Sequence, residues 1–319
     1  MNKKSEKAIN KLDPKYIELI NKLCTYFNDY TFDITNYFLE KKEYLKRLIN
    51  GDINEIQKII YENKLIENEF FLINLIKSNP SFLELVKLYP NNKILKKISN
   101  DKEIIIEAVK ENGRSLEYAS KELCNDKGFI LEAVKQDDCS LEYASKELKD
   151  DKEFILDLVS KNGRTLEYAS NRLRNDKEVV LVSVKSTGYA LRYASEGLCN
   201  NKEFILEAIK ETGYALKYAS EKLRDDKDVV LEAVKETGYA LEYASEELCN
   251  DKEAVIEAVK ETGTALEYAS DRLKDDKEVV LAAVKQDGWS LQYASDRLQD
   301  DKELLDLKNK RSIYGRIWI

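Results

Sequence analysis

Residues 226–250 read DKDVVLEAVKETGYALEYASEELCN, and variants of this 25-residue stretch fill the chain from residue 101 to residue 300. The triplet Asp-Lys-Glu, or a near match, recurs at every step of 25 residues, at Asp101, Asp126, Asp151, Asp176, Asn201, Asp226, Asp251, Asp276 and Asp301. A fixed period of this length is the signature of a repeat architecture, in which each unit buries its apolar face against its neighbours. The sequence therefore predicts eight tandem repeats, which we number 1 to 8 from the N-terminal side.

The first half of each repeat has the pattern of a short amphipathic helix. Asn250 stands before the triplet of repeat 7 and Glu253 follows three places later, which predicts a capping box at the start of the helix. In repeat 6, Val230 and Val234 define an apolar stripe with helical spacing. Gly238, at position 13 of its repeat, predicts a helix end in the left-handed conformation.

The second half of each repeat predicts a second helix. Leu241, Ala244, Ser245 and Leu248 share one face, and the alanine and serine are small enough for close helix approach. A tyrosine at position 18 points the other way in every repeat, which predicts a buried ladder: Tyr118, Tyr143, Tyr168, Tyr193, Tyr218, Tyr243, Tyr268 and Tyr293. Because helices this short are marginal alone in water, the repeats must stack. The predicted fold is an all-α solenoid of 25-residue helix-turn-helix repeats with helical N- and C-terminal caps.

The residues outside the repeats divide into three predicted segments. Residues 1–66 are predicted to form an N-terminal helical cap region and residues 67–100 a degenerate repeat, in which Pro80 takes the place of the glycine. Residues 301–319 are predicted to form a partial repeat followed by a C-terminal cap and tail. Such end units give a repeat array a polar outer face.

The composition argues against catalysis. The chain has no histidine, which is the usual acid or base near neutral pH and the commonest metal ligand. Its five cysteines are not spaced two to four residues apart, as zinc sites require: Cys24, Cys124, Cys139, Cys199 and Cys249. We therefore expect no enzymatic activity, no catalytic residues, no cofactor and no metal site.

Charge and hydropathy limit the partners and the compartment. The net charge is −8, and residues 101–300 alone carry −14, so an acidic surface disfavours nucleic acid and anionic membranes. The first residues are charged, and no stretch is apolar enough for a membrane span. We expect a cytoplasmic monomer that binds a protein or peptide; delivery to a host cell by a signal-independent route stays open.

The blocks D-K-E-x-V-L-x-A-V-K and A-L-x-Y-A-S resemble the helical repeats of the family known as domain of unknown function 4116. The resemblance covers residues 101–308 and extends over the whole repeat. It implies a tandem helical array. It implies no activity, because the family has no assigned catalytic residues.

Two variable positions are the candidate binding positions. Position 14 follows the glycine and is aromatic at Tyr189, Tyr214, Tyr239 and Trp289, while position 17 turns basic at Arg192 and Lys217. Aromatic and basic residues dominate interface hot spots, so we predict a protein-interaction scaffold that binds its partner along this strip. Alternatives are aromatic residues that only pack on the neighbouring turn, and a single-stranded RNA reader that stacks one base on each repeat.

Overall fold

The computed structural model describes residues 65–67, 69–78 and 80–314. Every regular element within these ranges is helical and none is a strand, which confirms the predicted all-α class. Within the same ranges, no helix has the length and apolar character needed to cross a membrane. The predicted N-terminal cap region lies outside the described residues except at its last two positions, as does the tail beyond Tyr314.

The chain divides into two compact units, Met1–Leu148 and Lys149–Ile319. In the first unit, repeats 1 and 2 follow a segment whose helices are Leu65–Glu67, Glu69–Ser78, Pro80–Glu84, Leu85–Leu88 and Lys93–Ser99. Glu69–Ser78 and the 3-10 helix Pro80–Glu84 follow one another in the same order as in a repeat, with Pro80 in the glycine place. The second unit contains repeats 3 to 8 and the terminal helix Lys302–Tyr314.

Each repeat contains three helical elements. The first is a ten-residue α-helix: Lys102–Glu111, Lys127–Gln136, Lys152–Lys161, Lys177–Ser186, Lys202–Glu211, Lys227–Glu236, Lys252–Glu261 and Lys277–Gln286. The second is a six-residue 3-10 helix: Gly113–Tyr118, Asp138–Tyr143, Gly163–Tyr168, Gly188–Tyr193, Gly213–Tyr218, Gly238–Tyr243, Gly263–Tyr268 and Gly288–Tyr293. The third is a short helix: Lys121–Cys124, Lys146–Lys149, Leu173–Asn175 (3-10), Glu196–Cys199, Glu221–Arg224, Glu246–Cys249, Asp271–Lys274 and Asp296–Gln299.

The second helix predicted from the sequence is therefore interrupted. Ala244 is extended (φ −69°, ψ 163°), and Ser245 caps the short helix by accepting a hydrogen bond from the Leu248 amide. The Ser245 amide also donates to the Arg224 carbonyl of the preceding repeat, at 2.9 Å. A serine that caps one helix and bonds to the neighbouring repeat cannot also continue a helix, so the small-residue interpretation of this position was incomplete.

The predicted capping box was wrong, because the N-cap lies one residue later and Glu253 is at the second helical position, where it pairs with Lys227 of the preceding repeat at 2.8 Å. The N-cap of the first helix in repeat 7 is Asp251, whose side chain accepts from the Ala254 amide at 3.0 Å. Asn250 instead ends the preceding short helix and accepts a hydrogen bond from the Ser270 hydroxyl of the next repeat, at 2.6 Å. The two polar residues before the helix thus have separate tasks: one caps the helix and the other links consecutive repeats.

In most repeats the glycine at position 13 is required by close packing and not by a left-handed backbone. No glycine in the described part of the chain has a φ in the left-handed region, and the residue before it, such as Thr262, is extended (φ −138°, ψ 101°). A Cβ on Gly263 would lie 2.6 Å from the carbonyl oxygen of Ala283 in the next repeat. The prediction of a left-handed terminus was wrong, because the 3-10 helix begins where two backbones nearly touch.

The core runs between consecutive repeats. In repeat 6 the first helix buries Val229, Val230, Ala233 and Val234 completely, whereas Leu231 is only half-buried. The 3-10 helix adds its two central residues, which in repeat 6 are Ala240 and Leu241. Because neighbouring first helices and neighbouring 3-10 helices contact each other, the apolar surface of one repeat is covered by the next.

An ion-pair ladder along the starts of the first helices explains the Asp-Lys-Glu triplet. The Lys252 ammonium of repeat 7 lies 2.7 Å from Asp276 and 2.8 Å from Glu278, which are the aspartate and glutamate of the next triplet. Equivalent pairs start from Lys152, Lys202, Lys227 and Lys277. Partial burial raises the pKa of Asp276, but hydrogen bonds from Lys252 and the Val279 amide outweigh it and keep that pKa below 3.8.

We predict that Gly263→Ala lowers the free energy of unfolding by about 1–3 kcal/mol, because the new methyl group meets backbone atoms of the next repeat. Gly188→Ala is the matched control, since its nearest neighbour would be the Thr212 methyl group at 3.5 Å. The control should be close to neutral. Urea denaturation followed by circular dichroism measures both, and equal effects would contradict the packing explanation.

We also predict that Asp276→Asn costs less than about 1 kcal/mol, because an ion pair that is still partly open to solvent is weak and asparagine still caps the helix, as Asn201 does. Asp276→Ala should cost about 1 kcal/mol more, since it removes the cap as well.

The same variants predict a pH dependence. Since folding lowers the pKa of Asp276, its contribution is present above about pH 4 and is lost as the pH falls through the native value. The Asn variant should lack this part of the acid destabilisation. The midpoint of urea denaturation, measured at several pH values between neutral and acidic, tests this expectation. An Asp276→Asn variant that loses as much stability in acid as the wild type does would contradict the contribution assigned to Asp276.

Candidate binding ridge

The 3-10 helices of repeats 3 to 8 form a ridge along the second unit, because each contacts the next. In a 3-10 helix, residues three apart lie on the same side, separated by about 6 Å along the helix. Positions 14 and 17 of each repeat therefore form two parallel rows on the outside of the ridge, while positions 15 and 16 are buried beneath them. We call this surface, residues 164–292 at these two positions, the 3-10 ridge.

The position-14 row carries most of the exposed aromatic surface in the described residues. Tyr189 is 69% exposed, Tyr214 40% and Trp289 72%; the only other exposed large apolar residue there is Leu88, outside the ridge. Tyr239 differs from its neighbours, since it is half-buried and its hydroxyl lies 2.7 Å from the Thr264 hydroxyl. Three of the four predicted aromatic residues are thus open to solvent, and the fourth is engaged between repeats.

The position-18 tyrosines are half-buried in every repeat, so the predicted buried ladder is only partly buried. Each is the last residue of its 3-10 helix. Tyr214 meets Tyr243 edge to face with 6.4 Å between ring centres, and Tyr239 meets Tyr268 in the same way. Burial, together with a hydrogen bond to Glu242, raises the pKa of Tyr243 to about 12. Two of the position-14 aromatic residues, Tyr214 and Tyr239, are therefore packed against a position-18 ring of the next repeat.

The position-17 row is fully exposed and changes charge along the ridge. Glu167 is followed by Arg192 and Lys217, then by Glu242 and Glu267. Arg192 lies 5.2 Å from the ring centre of Tyr193, and the Lys217 ammonium lies 5.2 Å from that of Tyr243. The two cations are thereby held close to position-18 rings, which lie beside the ridge.

Sequence reasoning did not include Arg164 in the site. Arg164 occupies position 14 of repeat 3 and is exposed, so it continues the basic part of the ridge next to Tyr189. Aligning the repeats with one another already places this arginine at the same position as the aromatic residues. It was missed because only aromatic residues were selected at that position.

Two other polar groupings lie in the first unit. Asp137, Asp138 and Cys139 bring one ligand atom each within 4.8 Å, but Asp137 already accepts a hydrogen bond from the Cys139 amide. A cleft near the first helix of repeat 1 is lined by charged residues that pair with other groups: Lys102 with Asp126 and Lys110 with Glu107. Neither grouping presents an arrangement with a defined chemistry.

Comparison with protein families gives one match. The model of the family described as Domain of unknown function (DUF4116) matches residues 101–149, 151–199, 183–224, 201–249, 226–274 and 276–305. These segments together cover more than half of the chain. No curated protein and no solved structure matches the chain.

The ridge geometry predicts different stability effects for a tyrosine at position 14 and a tyrosine at position 18. Tyr189→Ala should change the free energy of unfolding by less than about 0.5 kcal/mol, because the ring is mostly in solvent. Tyr243→Ala should cost about 1–3 kcal/mol, because it removes the edge-to-face contact with Tyr214. Urea denaturation of both variants measures the difference, and equal losses would show that Tyr189 packs as a core residue.

Proposed function

We propose that this chain, which belongs to the DUF4116 family, is a non-catalytic protein-interaction scaffold that binds a partner segment along the 3-10 ridge. The observation that carries the proposal is the exposure of Tyr189, Tyr214 and Trp289 on one row. Large aromatic side chains left in water on a regular surface mark interaction sites more often than they serve folding.

The basic residues support the same surface. Arg192 and Lys217 follow the exposed Tyr189 and Tyr214 by three residues in the same 3-10 helices, and Arg164 precedes them on the ridge. Arginine, tyrosine and tryptophan are the residues enriched in interface hot spots. Here the arginines and exposed tyrosines lie on repeats 3 to 5, and Trp289 lies on repeat 8. A partner segment that runs along the ridge would meet them one after another.

A scaffold function also fits what the repeated polar residues do. The aspartates at position 1 cap helices, as Asp251 and Asp276 do, and Asp276 also pairs with a lysine. The serines at position 20 cap the short helices, as Ser245 does, or bond to the preceding repeat, as Ser220 does through Asn200. These side chains have structural roles in every repeat in which they occur. They leave the variable positions 14 and 17 as the place where one repeat can differ from another.

The second candidate is single-stranded RNA binding, which the row of aromatics favours because bases stack on such rings. The negative charges of the position-17 row make RNA binding the second candidate. Glu167, Glu242 and Glu267 stand in the position-17 row and would repel a phosphate backbone.

The experiment is selection from a library of random linear peptides displayed on phage, with the full chain as bait. We expect enriched peptides that bind the wild type and lose binding at least tenfold to the triple variant Tyr189→Ala, Tyr214→Ala, Trp289→Ala. The matched control is Lys185→Ala with Lys210→Ala, two exposed residues at position 10 on the first helices. The control should bind as the wild type does.

Two results would contradict the proposal. Peptides that bind the triple variant unchanged would place the site elsewhere, and failure to enrich any peptide would remove the scaffold function for this ridge. A labelled oligouridine tested in fluorescence anisotropy covers the alternative. Binding with a steep salt dependence that the triple variant loses would favour the RNA reader instead.

A further inference from the structure

The charges of the 3-10 ridge are ordered so that one half complements the other. In the position-17 row, Arg192 and Lys217 precede the boundary between repeats 5 and 6, and Glu242 and Glu267 follow it. The whole repeats share this asymmetry, since residues 151–225 carry a formal charge of +1 and residues 226–300 carry −10. The sign therefore changes near the middle of the second unit.

We propose that the partner of the ridge is a second copy of this chain, paired antiparallel through a two-fold axis at the boundary between repeats 5 and 6. This inference rests on the proposed function and names the partner of the same surface. In the pair, Lys217 faces Glu242 of the second copy and Arg192 faces Glu267 of the second copy. By symmetry each contact occurs twice, so the ridge is self-complementary.

The same two-fold axis also determines which position-14 residues face each other. A two-fold axis that lies in the interface and runs across the ridge reverses the order of the repeats but keeps each row opposite itself. Tyr214 then faces Tyr239 of the second copy, and Tyr189 faces Thr264 of the second copy. Arg164 faces Trp289 of the second copy, which gives the most exposed aromatic of the ridge a guanidinium partner.

Other registers lose this complementarity. Shifting one copy by a single repeat places the axis on repeat 5 or repeat 6, so that Lys217 or Glu242 meets its own image in the second copy. Like charges in contact are unfavourable, whereas opposite charges steer the two surfaces together. The order of charges therefore selects one register.

The size of the ridge sets the expected strength. Six repeats about 8–10 Å apart and two rows about 6 Å apart span on the order of 300–350 Å² per copy. The resulting total of roughly 600–700 Å² lies in the range of weak, transient interfaces. We therefore expect a reversible dimer that depends on concentration, in place of the monomer that the sequence suggested.

Analytical ultracentrifugation of the full chain over a roughly hundredfold range of concentration tests the proposal. The wild type should pass from monomer to dimer. Lys217→Glu and Glu242→Lys should each weaken the dimer roughly tenfold or more, because each places like charges together twice. The double variant Lys217→Glu, Glu242→Lys should recover the wild-type dimer, since the pair is restored with its signs exchanged.

Lys210→Glu is the control, because it makes the same charge change in the same repeat but lies on the first helix, away from the ridge. It should dimerise as the wild type does. A chain that stays monomeric, a control as weak as Lys217→Glu, or a double variant without recovery would each overturn the proposal. Peptides that bind a strictly monomeric chain through the ridge would leave the scaffold function intact and remove only the self-pairing.

Discussion

The close approach of consecutive repeats at the start of most of the 3-10 helices is the constraint on which the rest of the structure depends. At Gly263 the backbone lies against the Ala283 carbonyl of the next repeat, with no room for a side chain. This contact brings neighbouring first helices together over Val255, Val259, Val280 and Val284, all of which are buried. It also fixes the orientation of the 3-10 helix, so that positions 15 and 16 face the core and positions 14 and 17 face solvent.

The sequence predicted the parts of the fold that periodicity controls. Eight repeats, a first helix with its apolar stripe and the stacking of repeats all follow from spacing and from the instability of short helices. The details that depend on the neighbouring repeat were not predictable in this way. Asn250 and Asp251 are both good capping residues, and only the Ser270 hydroxyl of the next repeat, which bonds to Asn250, separates their roles. Similarly, glycine suits both a left-handed turn and a tight contact, and the pattern of one repeat cannot distinguish them.

The candidate site illustrates the same limit. Variation among repeats identified positions 14 and 17, and the structure places both on the outside of the ridge in the second unit. Variation among the repeats could not show that Tyr189 and Tyr239, which are the same residue at the same repeat position, differ in exposure. The difference comes from the following repeat, where Thr264 offers a hydroxyl to Tyr239. Side-chain exposure in a stacked array is a property of pairs of repeats, and sequence rules written for one repeat do not contain it.

The ion-pair ladder is uneven, and its irregularity marks one junction of the array. At repeat 5, Asn201 replaces the aspartate, and Lys177 pairs with Glu203 at the longer distance of 3.6 Å. At the same junction, Gly188 leaves a looser gap than Gly263 does. The junctions before and after it keep the aspartate pairs of Lys152 and Lys202. Under tension along the chain, the contact between repeats 4 and 5 would therefore resist separation less than the contacts at these adjoining junctions do. Tyr189 and Tyr214 lie on either side of this weaker junction.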